Sequence, residues 1–151
     1  VTDEQAILNL LYSYAERIDR GDFTGMARLF EHAEYYSGDE PPLTDWREID
    51  RLYRSLVILY EDGTPKTQHD TTNAWIDVEP GSAAASARSR FTVLQGVPGT
   101  PLQVIVAGRY HDRFEKVAGE WRFCERRIFM DLVGDLTRHL RLDRLVEPAT
   151  R

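Results

Sequence analysis

Two side chains carry the types and settings that chemistry needs, Asp19 and His69. Asp19 lies in AERIDRGDF, four residues after Ala15 and one after Ile18, at the border of an apolar helical face. A carboxylate there can point at whatever the helix packs against. It also stands at the negative end of the helix dipole, which favours a specific hydrogen-bonding partner. The alternative is an aspartate turned to water. His69 opens TQHDTTNAWIDV, a stretch with the two-residue period of a strand. Its imidazole can exchange protons near neutral pH, or it can rest on a backbone carbonyl as a structural histidine. Strict alternation puts Thr71, Asn73 and Trp75 on its face and Asp70, Thr72, Ala74, Ile76 and Val78 on the other. Neither set is wholly apolar. A bulge near Thr71–Thr72 reconciles them: polar residues before it line a hollow, and apolar ones beyond it close a core. Asn73 then either hydrogen-bonds a ligand carbonyl or serves the bulge.

No other chemistry is signalled. His32, His69, His111 and His139 are scattered, with no HExxH, no CxxC and no carboxylate-rich calcium loop, so no metal is expected. Neither a P-loop nor a GxGxxG turn is present, so no nucleotide cofactor is expected either. Cys124, the single cysteine, has no base beside it and reads as packing. Nineteen basic against twenty-five acidic side chains give a net charge of −6, which argues against nucleic acid or an anionic membrane as partner. No apolar run approaches the roughly 18–20 residues of a membrane span, and the opening VTDEQAILNLL lacks the basic start of a signal peptide. With a lone thiol, the expected home is a reducing cytoplasm.

At 151 residues and 42% apolar content the chain suits one core. Helices are predicted over 3–20, 23–31 and 45–61. Thr2 with Gln5, and Asp45 with Glu48, have capping-box spacing, and Asp22 can cap the second helix. The third carries Ile49, Leu52, Tyr53, Leu56, Val57 and Tyr60 as its inner stripe. Tyr14 and Tyr53 read as core residues whose hydroxyls reach a cavity rim. Trp46 either lids the mouth or anchors the third helix. A brief strand covers 33–37, and the period then changes to two, with strands at 67–78, 82–95, 102–117 and 120–132. On the third of these Val104, Val106, Gly108, Tyr110, Asp112 and Phe114 share a face, and Arg109, His111, Arg113 and Glu115 look outward. On the last, Trp121, Phe123, Glu125, Arg127, Phe129 and Asp131 alternate with Arg122, Cys124, Arg126, Ile128 and Met130, and Arg127 with Asp131 is expected as a structural pair. One domain spans 1–135. The tail, 136–151, forms a short helix on Leu136, Leu140 and Leu145 or packs on a partner subunit. Helices first and long antiparallel strands afterwards define an α+β architecture, whose curved sheet leaves a conical hollow.

The stretches YAERIDRGDFTGMARLF (14–30), TQHDTTNAWIDV (67–78) and GRYHDRFEKVAGEWRFCERRIFMD (108–131) resemble the nuclear transport factor 2-like superfamily, more narrowly its SnoaL-like and scytalone dehydratase-like members. The resemblance implies a cone-shaped domain of three N-terminal helices on a curved, mainly antiparallel sheet. It also implies a small-molecule ligand in the cone and a homo-oligomer, most simply a dimer. In the dehydratase branch a carboxylate ending the first helix faces a histidine on the first long strand, and Asp19 and His69 fall at those positions. A tyrosine on the short strand helps position water or the leaving group, matching Tyr36 or its neighbour Tyr35. The chain departs from that branch in having Ile18 before the aspartate, RSRFTVLQ (88–95) where a second histidine belongs, and Tyr110 where a strand asparagine falls. The implied activity is that of a cofactor-independent lyase or isomerase, whether dehydratase, ketosteroid-isomerase-like or polyketide-cyclase-like. Asp19 and His69 would be its acid–base pair, and Tyr14, Tyr36, Tyr53, Asn73 and Tyr110 would contact a small apolar carbonyl compound. The alternative is a non-catalytic ligand-binding or subunit-assembly domain, similar to the small subunits of ring-hydroxylating dioxygenases.

Overall fold

A computed structural model describes residues 1–145. The chain runs α1 (Asp3–Asp19), α2 (Phe23–Arg28), β1 (Glu34–Ser37), α3 (Trp46–Leu56), β2 (Thr67–Val78), β3 (Ala84–Gln95), β4 (Gln103–Val117), β5 (Glu120–Val133) and α4 (Leu142–Leu145). Each of the first three helices starts on the residue the sequence marks. Thr2 Oγ1 accepts from the Gln5 amide at 3.1 Å, Asp22 Oδ1 from Gly25 at 2.9 Å and Asp45 Oδ1 from Arg47 at 2.9 Å. The capping box is only half made at α1, because the Gln5 side chain turns along the helix to Asn9. Gly21 ends α1 at φ +76°, and a Cβ there would lie 2.1 Å from the Gly63 carbonyl oxygen, so only glycine fits.

Helix α3 stops at Leu56, short of the expected 61. Val57 leaves the helix to bridge Leu140, and the Ile58 amide donates to the His139 carbonyl at 2.8 Å. The apolar residues after Leu56 therefore pair with the C-terminal segment instead of extending the stripe.

The five strands form one sheet in the order β1-β5-β4-β3-β2, with β1 parallel to β5 and the rest antiparallel. It is a curved open sheet with the three helices on its concave side, the α+β architecture expected. Ile7, Leu11, Phe23, Met26, Phe30, Ile49, Ile105, Phe114 and Phe123 are buried between the two layers.

Irregularities in the ladder decide which side chains face inward. On β2 the register slips between Thr72 and Trp75, where Asn73 takes the left-handed conformation at φ +52°. His69 and Thr71 stand opposite the buried Val93 and Phe91, and beyond the slip Ile76 and Val78 stand opposite the buried Ala87 and Ala85. The bulge thus lies just past the expected place and switches the strand from a polar to an apolar inner face. Trp75 is turned out, 62% exposed beneath the Arg88 guanidinium, and not on the His69 face. On β5 a second slip leaves Cys124 as an extra residue, since Arg113 pairs with Glu125 and Phe114 with Phe123. Arg126, Ile128 and Met130 are thereby paired with Asp112, Tyr110 and Gly108 of the inner face. This corrects the uninterrupted alternation expected for that strand.

The buried Arg126 donates to Asp112 at 2.8 and 2.9 Å, and its Nη1 has no partner. Its guanidinium lies 3.8 Å from the Tyr110 ring centre and 4.3 Å from that of Tyr14. Burial opposes its charge, yet the Asp112 carboxylate holds its pKa above the ordinary arginine value. Arg127 and Asp131 do not form the pair expected of them. Asp131 accepts from Arg109 at 2.7 and 3.1 Å, and Arg127 donates to Glu125 and covers the Tyr36 ring.

Residues 134–141 lie against the C-terminal ends of α3 and β3. Leu136 and His139 are buried, the Arg138 carbonyl accepts from Tyr60 and Gln95, and Arg141 donates to the Val57 carbonyl. This segment packs on its own chain. Leu145 closes α4, and residues 146–151 of the expected tail lie outside the described residues.

Candidate active site

Asp19, the last residue of α1, is met by three donors from the start of β2. The Thr67 hydroxyl donates to Oδ1 at 2.9 Å, the His69 amide to Oδ2 at 2.8 Å, and His69 Nδ1 lies 2.6 Å from Oδ1. The three bonds supply what the helix C-terminus withholds, which accounts for a carboxylate at the negative end of a dipole. A carboxylate only accepts, so Nδ1 carries the hydrogen, and in the neutral form of the ring Nε2 has the lone pair. The His69 side chain is 9% exposed and that of Asp19 21%, so the pair is shielded from competing water.

The His69 ring lines a cavity of about 180 Å³. Its walls are largely apolar, among them Ile18, Leu52, Leu56, Val57, Phe91 and Val93. Four tyrosines also line it: Tyr14 from α1, Tyr35 from β1, Tyr53 from α3 and Tyr110 from β4. The Tyr53 hydroxyl bonds that of Tyr14 at 2.9 Å and also that of Tyr35. Burial pushes the phenols of Tyr35, Tyr53 and Tyr110 well above the ordinary tyrosine value, so these hydroxyls stay protonated and able to donate.

The geometry sorts the residues singled out in the sequence. Asp19 and His69 are in contact, and Tyr14, Tyr53 and Tyr110 line the same cavity as His69. Tyr36 points the other way, donating to Glu34 at 2.5 Å beside Arg127, and its neighbour Tyr35 takes the inward place. Asn73 is exposed and gives its conformational freedom to the bulge, and it does not line the His69 cavity. Trp46 is held between Arg28 and Arg47 and anchors α3; it does not line the cavity. His111 looks outward against Phe129.

The sequence reading overlooked His139. It lines the cavity 6.5 Å from the His69 ring, centre to centre. A signal was available: Leu136, His139 and Leu140 share one face of a helical turn, with the His139 and Leu140 amides both bonded to the Leu136 carbonyl. Burial pulls the His139 imidazole down to about 4; His69 acts in the same direction and Asp19 opposes it. An unfolded histidine takes up its proton near pH ~6.5. In the window from about pH 6.5 to about pH 4 the unfolded chain therefore binds the extra proton, and stability falls as pH is lowered through it. The expected loss is on the order of 2–3 kcal/mol, read from urea midpoints at about pH 7 and about pH 4.5. His139→Phe should show a clearly smaller loss; an equal loss would place the acid sensitivity elsewhere.

Residues 1–127 match the family model for the SnoaL-like domain. The chain belongs to the SnoaL-like family. SnoaL-like domains sit in a superfamily of isomerases, dehydratases, cyclases and beta subunits of ring-hydroxylating dioxygenases. Among solved structures, the chain is similar to a Novosphingobium aromaticivorans protein provisionally described as a scytalone dehydratase. That match has a TM-score of 0.70 and 23% identity over 88% of this chain and 87% of that one. It is also similar to the beta subunit of a provisionally described aromatic-ring-hydroxylating dioxygenase from the same organism, at TM-score 0.65 and 19% identity over 85% and 89%. A third similar structure is that of a Mycobacterium tuberculosis protein of unknown function, Rv3472, at 0.69 and 23% over 87% and 73%. No curated protein sequence matches significantly. These likenesses establish the SnoaL-like fold and leave the reaction to the site itself. Among the described residues, no helix is long and apolar enough to cross a membrane, and no three His, Cys, Asp or Glu side chains cluster as a metal site would require.

Proposed function

We propose that this SnoaL-like domain is a cofactor-independent lyase or isomerase that removes a proton from carbon beside a carbonyl. The observation that carries this reading is the 2.6 Å contact between Asp19 and a His69 ring that lines an apolar cavity. His69 Nε2 takes the proton while Asp19 fixes the ring and balances the imidazolium that forms. The electron pair left on carbon moves into the carbonyl, and the enolate oxygen accepts from a hydroxyl of the Tyr14–Tyr53–Tyr35 chain. The proton then returns to another carbon or to an oxygen. The cavity volume supports a compact substrate, since a cavity of about 150 Å³ holds one benzene ring. Tyr14, Tyr53 and Tyr110 are its proposed contacts.

Incubating the protein with cyclohexanone, acetophenone and related ring ketones in deuterated water tests this. Mass spectrometry should show deuterium entering the α position faster than in buffer. A panel that exchanges only at the buffer rate would refute the reading.

A subunit-building role is favoured by a different observation. Leu102, Val104, Leu132 and Val133 lie at one end of β4 and β5, each more than half exposed. Covering that patch with a second copy would give a homo-oligomer, most simply a dimer. Light scattering should then report twice the monomer mass, and Leu132→Lys should halve it.

A further inference from the structure

We propose that His139 is a specificity-determining residue that holds an oxygen on the substrate, selecting compact cyclic ketones that also bear a hydroxyl. The inference rests on the reading of Asp19 and His69 given above, and it names the substrate class for that site.

Four observations carry it. His139 is 7% exposed, yet it lines the same cavity as His69, so whatever enters meets both rings. Its Nδ1 is sealed from solvent and bonded to nothing. Several of the cavity's other polar groups are already engaged: Tyr14, Tyr35 and Tyr53 bond one another, which leaves that chain one hydrogen for the enolate oxygen, and His69 Nδ1 is held by Asp19, while the Tyr110 and Ser37 side chains also line the wall. The segment that carries the ring is fixed, because its backbone is bonded on both sides, the His139 amide to Leu136 and its carbonyl to Ile58.

The tautomer follows from the cost of burial. A sealed nitrogen without a partner is tolerated better as a lone pair than as an N–H. The hydrogen therefore belongs on Nε2, the ring's other polar atom. The two imidazoles are then opposite in kind: His69 presents a lone pair, and His139 presents a donor. Burial also keeps His139 neutral at neutral pH, so it does not compete with the substrate proton for His69. With ring centres 6.5 Å apart on one cavity, a single compact substrate ring can meet both imidazoles at once. A hydroxyl oxygen suits the His139 side, because it accepts from Nε2 and can turn its own hydrogen elsewhere.

The experiment compares cyclohexanone with 3-hydroxycyclohexanone, using wild type, His139→Phe and His139→Gln. Titration calorimetry should give the hydroxylated ketone about fivefold tighter binding to wild type, the size of one net hydrogen bond. His139→Phe should erase that preference while still binding cyclohexanone, and His139→Gln, which keeps a donor, should retain part of it. In wild type labelled with ¹⁵N-histidine, the His139 pattern should be that of an Nε2–H ring and should move with the hydroxylated ketone only, a readout that needs no variant. Equal affinities in wild type, or a preference that survives in His139→Phe, overturn the proposal. If α-exchange proceeds and the preference is absent, only the role of His139 falls. If neither ketone binds or exchanges, the reading of the cavity as an active site falls with it.

Discussion

His69→Ala is expected to lower protein-catalysed α-deuteration of any ketone it accepts by about 10²–10⁴-fold, the usual worth of a positioned general base. The fold should survive, because the ring stands at a cavity wall and its backbone amide still reaches Asp19. Asp19→Asn tests the other half of the pair. An asparagine offers one acceptor oxygen and an NH₂ group, so one of the three donors now on the carboxylate meets another donor. Exchange should fall by less than in His69→Ala, and the double substitution should cost no more than His69→Ala alone. Full additivity would mean that the two residues act independently. Tyr53→Phe interrupts the hydroxyl chain at its middle member and should slow exchange without abolishing ketone binding.

Arg126→Leu is expected to destabilise the fold by about 3–5 kcal/mol, since it strands the Asp112 carboxylate in the core. Asp112→Leu should cost a similar amount by leaving the guanidinium unpaired. The double variant Arg126→Leu with Asp112→Leu should regain most of the loss, because two apolar side chains need no solvation. Urea unfolding of the two single variants and the double variant gives the comparison directly. Single losses that simply add would show that the pair is no unit. The stacking on Tyr14 and Tyr110 adds a second readout. Removing the guanidinium frees the two rings behind the cavity wall, so ketone affinity should weaken even in a double variant that folds well.

Much of this could be read from residue order alone. Asp19 and His69 were legible because each sits where a period ends: the last turn of an amphipathic helix and the first pleats of a strand. Tyr14 and Tyr53 were legible as members of helical stripes. Tyr35 and Tyr36 were not separable, since β1 has four residues and its parity is set by pairing with β5, which no local pattern records. Arg126 was misplaced because one unpaired residue, Cys124, reverses the inner and outer faces of β5. Alternation counted through it assigns the side chains from Glu125 to Met130 to the wrong side. His139 escaped because its partner in the cavity lies 70 residues earlier, on a strand its own segment never pairs with. Only the Leu136–His139–Leu140 spacing pointed inward.

The same unpaired residues have a consequence for how a chamber of this kind changes size over evolution. One residue of the Asn73–Ala74 pair on β2, which together face Ser89, is surplus to the neighbouring strand, as are Ile105 on β4 and Cys124 and Asp131 on β5. Every surplus residue bends its strand and tightens the local twist. Deleting Asn73 would restore a plain ladder while leaving His69 and Ile76 both facing inward, so the lineage could flatten the wall without touching one contact residue. Short insertions and deletions at these points, more than substitutions within the lining, are the step by which such a vessel could be resized for a different guest.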